Sequence, residues 1–152
     1  MKTIYIICQG NICRSPMGMF ILRNRLKELG LENEYDVKSA ALESSTAGED
    51  MYSESKKQLD EHHIPYTTHA AHKLTLPEYL AADYILVMER YQKIDIKRKM
   101  SSAHIEKVHT LLEYTDEPRD IDDPFYTRNF SKAYEDVSKG IEGFIVKEII
   151  KQ

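Results

Sequence analysis

Two residues near the amino terminus, Cys8 and Arg14, have the types and the spacing of a nucleophile and an anion-binding side chain. A thiolate can attack phosphorus, and a guanidinium can hold two phosphoryl oxygens through a bidentate fork. The spacing alone is a weak signal, which ordinary residue usage would produce in roughly one chain in ten of this length. The surrounding sequence therefore has to decide between a buried structural cysteine and a reactive one.

The segment around Cys8 predicts a strand, a loop and a helix in succession. Residues 3–8 are a β-branched and aromatic run, which is typical of a strand buried on both faces. Ser15 and Pro16 have the residue types preferred at a helix N-cap and at the first helical position. The loop between them includes Gly10 and Asn11, which tolerate positive φ and let consecutive backbone N–H groups converge on one point. Such a nest at a helix N-terminus binds anions. A cysteine at its base is expected to be a thiolate at neutral pH.

A phosphoryl transfer to sulfur also needs a proton donor for the leaving oxygen. Residues 116–126 form an acidic loop after the predicted last strand, at the same sheet edge as Cys8. Any carboxylate in this loop could serve as the general acid on geometric grounds. A solvated acidic loop without a catalytic role is the alternative interpretation.

The pattern along the whole chain predicts one α/β domain, residues 1–152. Strands that alternate with helices favour a mostly parallel sheet with helices on both faces. In such sheets the functional site lies beyond the carboxyl ends of the strands, which directs attention to the loops after Cys8, Ser39, Met88 and Leu111. The predicted strands span 3–8, 35–41, 84–88 and 105–111, and the predicted helices span 15–30, 50–62 and 130–151.

Composition excludes several classes of protein. With 21 Lys+Arg against 25 Asp+Glu, the chain lacks the basic excess expected of a nucleic-acid binder. No apolar run approaches the roughly 18 residues of a membrane span, and no secretory signal is visible, so we expect a cytoplasmic protein. His62, His63, His69 and His72 are clustered but lack cysteine partners and a recognised ligand spacing, so no metal site is predicted.

The segment Cys8-Gln9-Gly10-Asn11-Ile12-Cys13-Arg14-Ser15-Pro16-Met17 resembles the signature loop of the low-molecular-weight protein tyrosine phosphatases. The resemblance covers essentially the whole chain. It implies a flavodoxin/Rossmann-like three-layer sandwich, in which a four-stranded parallel sheet of order 2-1-3-4 has helices on both faces, and it implies no metal or organic cofactor. Other similar segments are 39–41, 64–65 with the following His69, 83–88 and 123–126.

This resemblance implies roles for the catalytic residues. Cys8 is the nucleophile that forms a phosphocysteine, Arg14 holds the phosphoryl group, and Ser15 hydrogen-bonds the Cys8 sulfur. Asp123, directly before a proline, matches the general acid, and its neighbour Asp122 is the less favoured choice. The phosphate-binding loop comprises Gln9, Gly10, Asn11, Ile12, Cys13 and Arg14.

The resemblance also implies a supporting network around that loop. Asn11 is expected in a left-handed conformation held by Ser39, and His69 is expected to be a structural member of the same network. Cys13 matches the second loop cysteine, which can bond Cys8 under oxidation and protect it reversibly. A simpler interpretation places Cys13 as a packed side chain beneath the loop.

Residues of the predicted pocket wall indicate the substrate. Ile12 is the residue type of tyrosine phosphatases in this family, whereas the arginine-phosphatase branch tends to carry threonine there. Phe125 matches an aromatic wall that can stack on a phenyl ring, and Tyr126 follows it as in many tyrosine-specific members. Gln9 and Ser45 depart from the family pattern, which has small or apolar and aromatic residues at these positions.

The sequence thus predicts a protein-tyrosine phosphatase whose partners are phosphotyrosine proteins or peptides. Phosphate and other oxyanions are expected inhibitors, nucleic acid and membrane are not expected partners, and a monomer or weak self-association is expected. The alternative is a protein arginine phosphatase of the same fold. A thiol arsenate reductase would need further cysteines near residues 80–90, where this sequence has none. A non-catalytic phosphopeptide-binding module would be expected to lack Cys8 or the acid, and both are present here.

Overall fold

Four parallel strands form the central sheet of the computed structural model, which describes residues 1–151. The strands are β1 (Lys2–Cys8), β2 (Tyr35–Ala41), β3 (Tyr84–Val87) and β4 (Val108–Thr110). They lie in the order β2-β1-β3-β4, which confirms the predicted order. Because β1 pairs with a neighbour on each side, its end at Cys8 lies in the middle of the carboxyl edge of the sheet.

Helices cover both faces of the sheet, as predicted. Alternate side chains of β1 separate into two cores, with Ile4 and Ile6 facing one layer and Tyr5 and Ile7 facing the other. The first layer holds α1, α2 and α6, and the second holds α3 and α4. The helices are α1 (Arg14–Glu28), α2 (Ser53–Glu61), α3 (Leu76–Ala81), α4 (Arg90–Lys99), α5 (Pro124–Thr127) and α6 (Phe130–Phe144).

Several element boundaries differ from the sequence-based expectations. The helix α1 begins at Arg14 rather than after a Ser15 cap, because the Ser15 hydroxyl is used by the Cys8 sulfur. The predicted strand over 105–111 is shorter, since β4 lies between 3-10 turns at Ile105–Lys107 and Leu111–Tyr114. The predicted last helix is α-helical to Phe144 and continues as a π-helical segment over Ile145–Ile150. The predicted domain includes Gln152, which lies outside the described residues.

Two glycines in α6 permit a close approach to the chain that leads into the acidic loop. A Cβ atom at Gly140 would overlap the Leu111 side chain, and one at Gly143 would overlap the backbone carbonyl of Tyr114. Glycine is a poor helix former, and these close contacts give the packing reason for its presence at both positions. Within residues 1–151, no helix combines the length and apolarity needed to cross a membrane.

Candidate active site

The sulfur of Cys8 lies at the end of β1 within a set of hydrogen-bond donors. The backbone N–H groups of Asn11 and Ser15 donate to Sγ at 3.3 and 3.4 Å, and the Ser15 hydroxyl lies 3.1 Å from the same atom. The Ser15 oxygen itself accepts a 2.7 Å hydrogen bond from Asn11 Nδ2, which leaves the hydroxyl proton for the sulfur. These donors stabilise a thiolate more than a neutral thiol, because hydrogen bonds to an ionised acceptor are stronger.

Carbonyl groups of the loop that follows Cys8 point away from its interior. Each carbonyl of residues 8–12 accepts a hydrogen bond from outside the loop, so it is turned outward. No peptide bond in residues 1–151 is cis, and in a trans peptide the N–H points opposite to the C=O. The N–H groups of residues 9–13 therefore face inward and converge, which is the geometry that anion binding requires. The outer donors are the backbone of Leu42 to Cys8 and Gln9, Thr46 Oγ1 to Gly10, His69 Nε2 to Asn11, and the backbone of Tyr52 to Ile12.

Asn11 holds the shape of this loop. Its φ of 57° is the predicted left-handed conformation, and its side chain is fully buried. The Asn11 carbonyl accepts from His69 Nε2 at 2.9 Å, which places the His69 proton on that nitrogen. Burial lowers the pKa of His69, so the ring is held neutral.

The predicted contact between Ser39 and Asn11 is wrong. Within residues 1–151 the buried Ser39 hydroxyl has no hydrogen-bond partner, and Asn11 Oδ1 instead accepts from the backbone N–H of His72 at 3.3 Å. The segment around His72 runs along the end of β2, where the Ala41 N–H donates to the His72 carbonyl at 2.7 Å. A main-chain donor thus takes the place that the sequence assigns to the serine.

The guanidinium of Arg14 is buried, with only 1% of the side chain exposed. Its Nη1 donates to Glu89 Oε2 at 2.7 Å and to the Ile121 carbonyl at 2.6 Å, and Nη2 lies 3.4 Å from Asp123 Oδ2. Burial alone would lower the pKa of Arg14, but the negative charges of Cys8, Asp123 and Glu89 raise it. Nε is buried and has no hydrogen-bond partner among the described residues, whereas Nη1 is fixed by Glu89 and the Ile121 carbonyl.

Glu89 is a site residue that the sequence reasoning missed. It directly follows Met88 at the carboxyl end of β3, one of the loops to which the topology directs attention. Its residue type alone gives no reason to choose it among the 25 acidic residues. Glu89 contacts Arg14 because β3 pairs with β1 in the sheet, and this pairing cannot be read from the residue itself.

Asp123 and Asp122 have different surroundings. Asp123 is the N-cap of α5, where its Oδ1 accepts from the Phe125 N–H at 3.0 Å, and it lines the same pocket as Cys8. Asp122 does not line that pocket; its side chain is 65% exposed and lies 3.5 Å from Lys132. The structure therefore brings Asp123, and not its neighbour, to the mouth of the nest.

The acidic loop is attached to the protein on two sides. The N–H of the buried Ile121 donates to the carbonyl of Met88 at the end of β3, at 3.0 Å. On the other side the Arg119 guanidinium donates to both carboxylate oxygens of Asp136 on α6, at 3.0 and 2.9 Å. Asp123 is thus positioned by contacts that extend from β3 to α6.

A pocket of about 230 Å³ opens above the sulfur. Phe125 and Tyr126 form one wall, and the predicted residues Gln9, Ile12 and Ser45 also line it. Glu43 and Thr46 line the pocket as well, although the sequence reasoning did not select them. Asn11 and Ser15 are not part of its surface, which is consistent with a supporting position. The complete lining is Cys8, Gln9, Gly10, Ile12, Cys13, Arg14, Glu43, Ser45, Thr46, Asp123, Phe125 and Tyr126.

Comparison with known proteins gives one consistent family. A family model described as "Low molecular weight phosphotyrosine protein phosphatase" matches residues 3–152. The chain is 31% identical over 143 residues to the low molecular weight protein-tyrosine-phosphatase PtpA of Staphylococcus epidermidis, covering 93% of this chain and 90% of PtpA. The structure of YfkJ from Bacillus subtilis superposes with a TM-score of 0.94 at 25% identity, covering 100% of this chain and 98% of YfkJ. SP-PTP, a low molecular weight protein tyrosine phosphatase from Streptococcus pyogenes, gives 0.87 at 25% identity, with 98% and 94% covered.

Proposed function

Because the chain belongs to the low molecular weight phosphotyrosine protein phosphatase family, we propose that this cysteine-dependent phosphatase hydrolyses phosphotyrosine through a phosphocysteine at Cys8. One observation carries the proposal. The Cys8 sulfur lies beneath an inward-facing nest of N–H groups, and the buried Nε of Arg14 has no hydrogen-bond partner among residues 1–151. A tetrahedral oxyanion above the sulfur would satisfy that nitrogen, and it would receive the converging N–H groups as well.

In the first step the Cys8 sulfur attacks phosphorus in line with the tyrosyl oxygen. The S–P bond forms as the P–O bond to tyrosine breaks, and Asp123 transfers its proton to the leaving oxygen. Arg14 and the loop N–H groups stabilise the equatorial oxygens, where charge accumulates in the transition state. Glu89 and the Ile121 carbonyl fix the guanidinium in advance, which avoids reorganisation during the transfer.

In the second step water attacks the phosphocysteine. The Asp123 carboxylate removes a proton from that water, the S–P bond breaks, and inorganic phosphate forms. The Cys8 thiolate leaves with its negative charge stabilised by the Ser15 hydroxyl and by the N–H groups of Asn11 and Ser15. Phosphate and related oxyanions should therefore inhibit as products or product analogues.

Apolar side chains in the pocket favour phosphotyrosine over phosphoarginine. Ile12 and Phe125 line the space above the nest and offer contact to a phenyl ring rather than hydrogen bonds to a guanidinium. We propose phosphotyrosine proteins or peptides as substrates and the cytoplasm as the location. Protein arginine phosphatase activity is the alternative, and the carboxylate of Glu43, which also lines the pocket, is the observation in its favour.

The decisive experiment compares a phosphotyrosine peptide, a phosphoarginine peptide and p-nitrophenyl phosphate with variants of the nucleophile and the acid. Cys8→Ser should abolish turnover, and acid-quenched wild type should show an added phosphoryl group on the Cys8 peptide by mass spectrometry. Asp123→Asn should lose about 10²- to 10⁴-fold in kcat with the peptide and much less with p-nitrophenyl phosphate, whose leaving group needs less protonation. Asp122→Asn is the matched control, since this exposed neighbour lies outside the pocket.

Two results would overturn the proposal. Turnover that survives in Cys8→Ser would remove the nucleophile, and an equal loss in Asp122→Asn and Asp123→Asn would remove the assigned acid. A higher kcat/KM for phosphoarginine than for phosphotyrosine would replace the substrate but leave the sulfur chemistry intact.

A further inference from the structure

One wall of the pocket carries a carboxylate that is held in place by neutral donors. Gln9 Nε2 donates to Glu43 Oε2 at 2.9 Å, and the Ser45 hydroxyl donates to Glu43 Oε1 at 3.0 Å. Gln9 and Ser45 both line the pocket, and their side chains converge on this one carboxylate, which belongs to an exposed residue at the pocket rim.

The charge of Glu43 is not neutralised by any side chain in the described part of the chain. No cationic side chain of residues 1–151 forms an ion pair with it, and its two hydrogen-bond donors are uncharged. Lys99, which donates to the carbonyl of the preceding Leu42, pairs instead with Asp95 at 3.0 Å. The carboxylate is thus oriented and still available to a charge brought by a ligand.

The other charges of the pocket make this negative rim important for a phosphorylated ligand. Arg14 is the one cation among the pocket-lining residues, and it already faces Asp123 and Glu89. A phosphotyrosine that enters the nest therefore brings its own negative charge past a wall that is also negative. A ligand with a cationic group at the rim would convert this repulsion into attraction.

Resting on the proposed function, we infer that Glu43 is a specificity-determining residue that selects phosphotyrosine peptides with a lysine or arginine next to the phosphotyrosine. The tyrosyl side chain fills the pocket, so the residues flanking it lie at the mouth, where Glu43 is exposed. Because Gln9 and Ser45 fix the carboxylate beforehand, less side-chain entropy is lost when a cation pairs with it. An exposed ion pair of this kind changes kcat/KM by roughly 1.4- to 5-fold.

The test uses three phosphotyrosine peptides that differ at the flanking positions, which carry arginine, alanine or glutamate. Wild type should prefer arginine over alanine by roughly 1.4- to 5-fold in kcat/KM, and glutamate should be the poorest of the three. In Glu43→Gln the arginine-to-alanine ratio should fall to about 1, and in Glu43→Lys the order should reverse. The ratio within each variant is the readout, so a general loss of activity does not affect it.

Two controls separate local recognition from other effects. Glu34→Gln removes the same charge from an exposed residue at the amino end of β1, opposite the site, and should keep the wild-type ratio. Raising the salt concentration to about 1 M shortens the Debye length to about 3 Å and should reduce the arginine preference of wild type.

The outcomes distinguish the inference from the proposed function. If wild type hydrolyses all three peptides at equal rates, or if Glu43→Gln keeps the preference, the inference is overturned while the phosphatase assignment stands. If wild type hydrolyses none of the three, the proposed function itself fails. A phosphoarginine peptide is added to the comparison. If it is the best substrate and Glu43→Gln abolishes its turnover alone, the carboxylate recognises the phosphorylated group itself, and both the inference and the phosphotyrosine assignment are overturned.

Discussion

Replacing Asn11 with alanine should destabilise the protein and reduce its activity together. The change leaves the Ser15 hydroxyl and the His72 N–H without their buried partner, and each loss costs about 1–3 kcal/mol. Alanine at a φ of 57° adds about 1–2 kcal/mol of backbone strain. The sum is at least about 3 kcal/mol, a large part of the roughly 5–15 kcal/mol that stabilises a typical domain.

Two further variants separate the contributions of backbone and side chain. Asn11→Gly adopts the positive φ freely, so it should be about 1 kcal/mol more stable than Asn11→Ala and still well below wild type. His63→Ala is the control for strain alone, because His63 has a φ of 58° and is exposed. It should lose about 1 kcal/mol with no change in activity.

Equilibrium urea unfolding, extrapolated to water, measures these differences, and kcat/KM with p-nitrophenyl phosphate follows the active site in parallel. If Asn11→Gly were as stable and as active as wild type, the side-chain hydrogen bonds would have no role. If Asn11→Ala and Asn11→Gly had the same free energy of unfolding, the left-handed backbone would add no strain to the alanine variant. Either result would refute the assignment of Asn11 as the residue that holds the loop.

Three other predictions concern the surroundings of the nest. Glu89→Gln leaves Arg14 with a neutral partner and should lower kcat/KM about 5- to 30-fold, which is about 1–2 kcal/mol for a pair whose acid is one-third exposed. An unchanged kcat/KM would show that Arg14 needs no charged partner. Burial, together with the negative charges of Cys8 and Asp123, raises the pKa of Cys13 to about 12, so iodoacetamide at pH 8 should not modify it in the folded protein. Rapid labelling of Cys13, detected by peptide mass spectrometry, would contradict this. Burial lowers the pKa of His69, whereas in the unfolded chain it is expected near 6.5, so the unfolded state binds more protons below that pH and stability should fall as pH decreases. Between pH 7.5 and 5.5 the urea midpoint should decrease less for His69→Gln than for wild type. Equal decreases in the two proteins would rule the effect out.

The sequence predicts the elements that are buried on both faces better than those that are not. Runs such as residues 3–8 and 84–88 are continuously apolar because helices cover both sides of the central strands. The predicted helices do not include α3, which is only six residues long, or α4, whose apolar side chains give no helical period. In α4, Ile94 is exposed and Ile96 is buried, so the two do not form one stripe. The predicted strand over 105–111 is too long because Leu111 lies buried in a 3-10 turn. In the sequence, a buried apolar residue of such a turn cannot be told from one of a strand.

Within the site, predictability depends on whether the residues are contiguous. Cys8 and Arg14 lie in one short segment whose residue types carry their own chemistry, whereas Asp123 is one of several acidic residues in its loop and only the resemblance singles it out. Glu43 and Glu89 reach the site only through the approach of separate loops, and one acidic residue looks like another in the sequence. The backbone N–H of His72, and not the Ser39 hydroxyl, holds the Asn11 side chain. Every residue except proline has such an N–H, so no pattern of side chains in the sequence reveals this contact.

The attachment of the acidic loop to α6 has a consequence for the timing of activity during synthesis. The Arg119–Asp136 fork fixes the loop that carries the proposed general acid to a helix made more than 100 residues after Cys8. A nascent chain would therefore carry Cys8 before the second attachment of the acidic loop can form, while the Ile121–Met88 hydrogen bond is the attachment on the β3 side. We expect full general-acid catalysis only after α6 has been made and has docked.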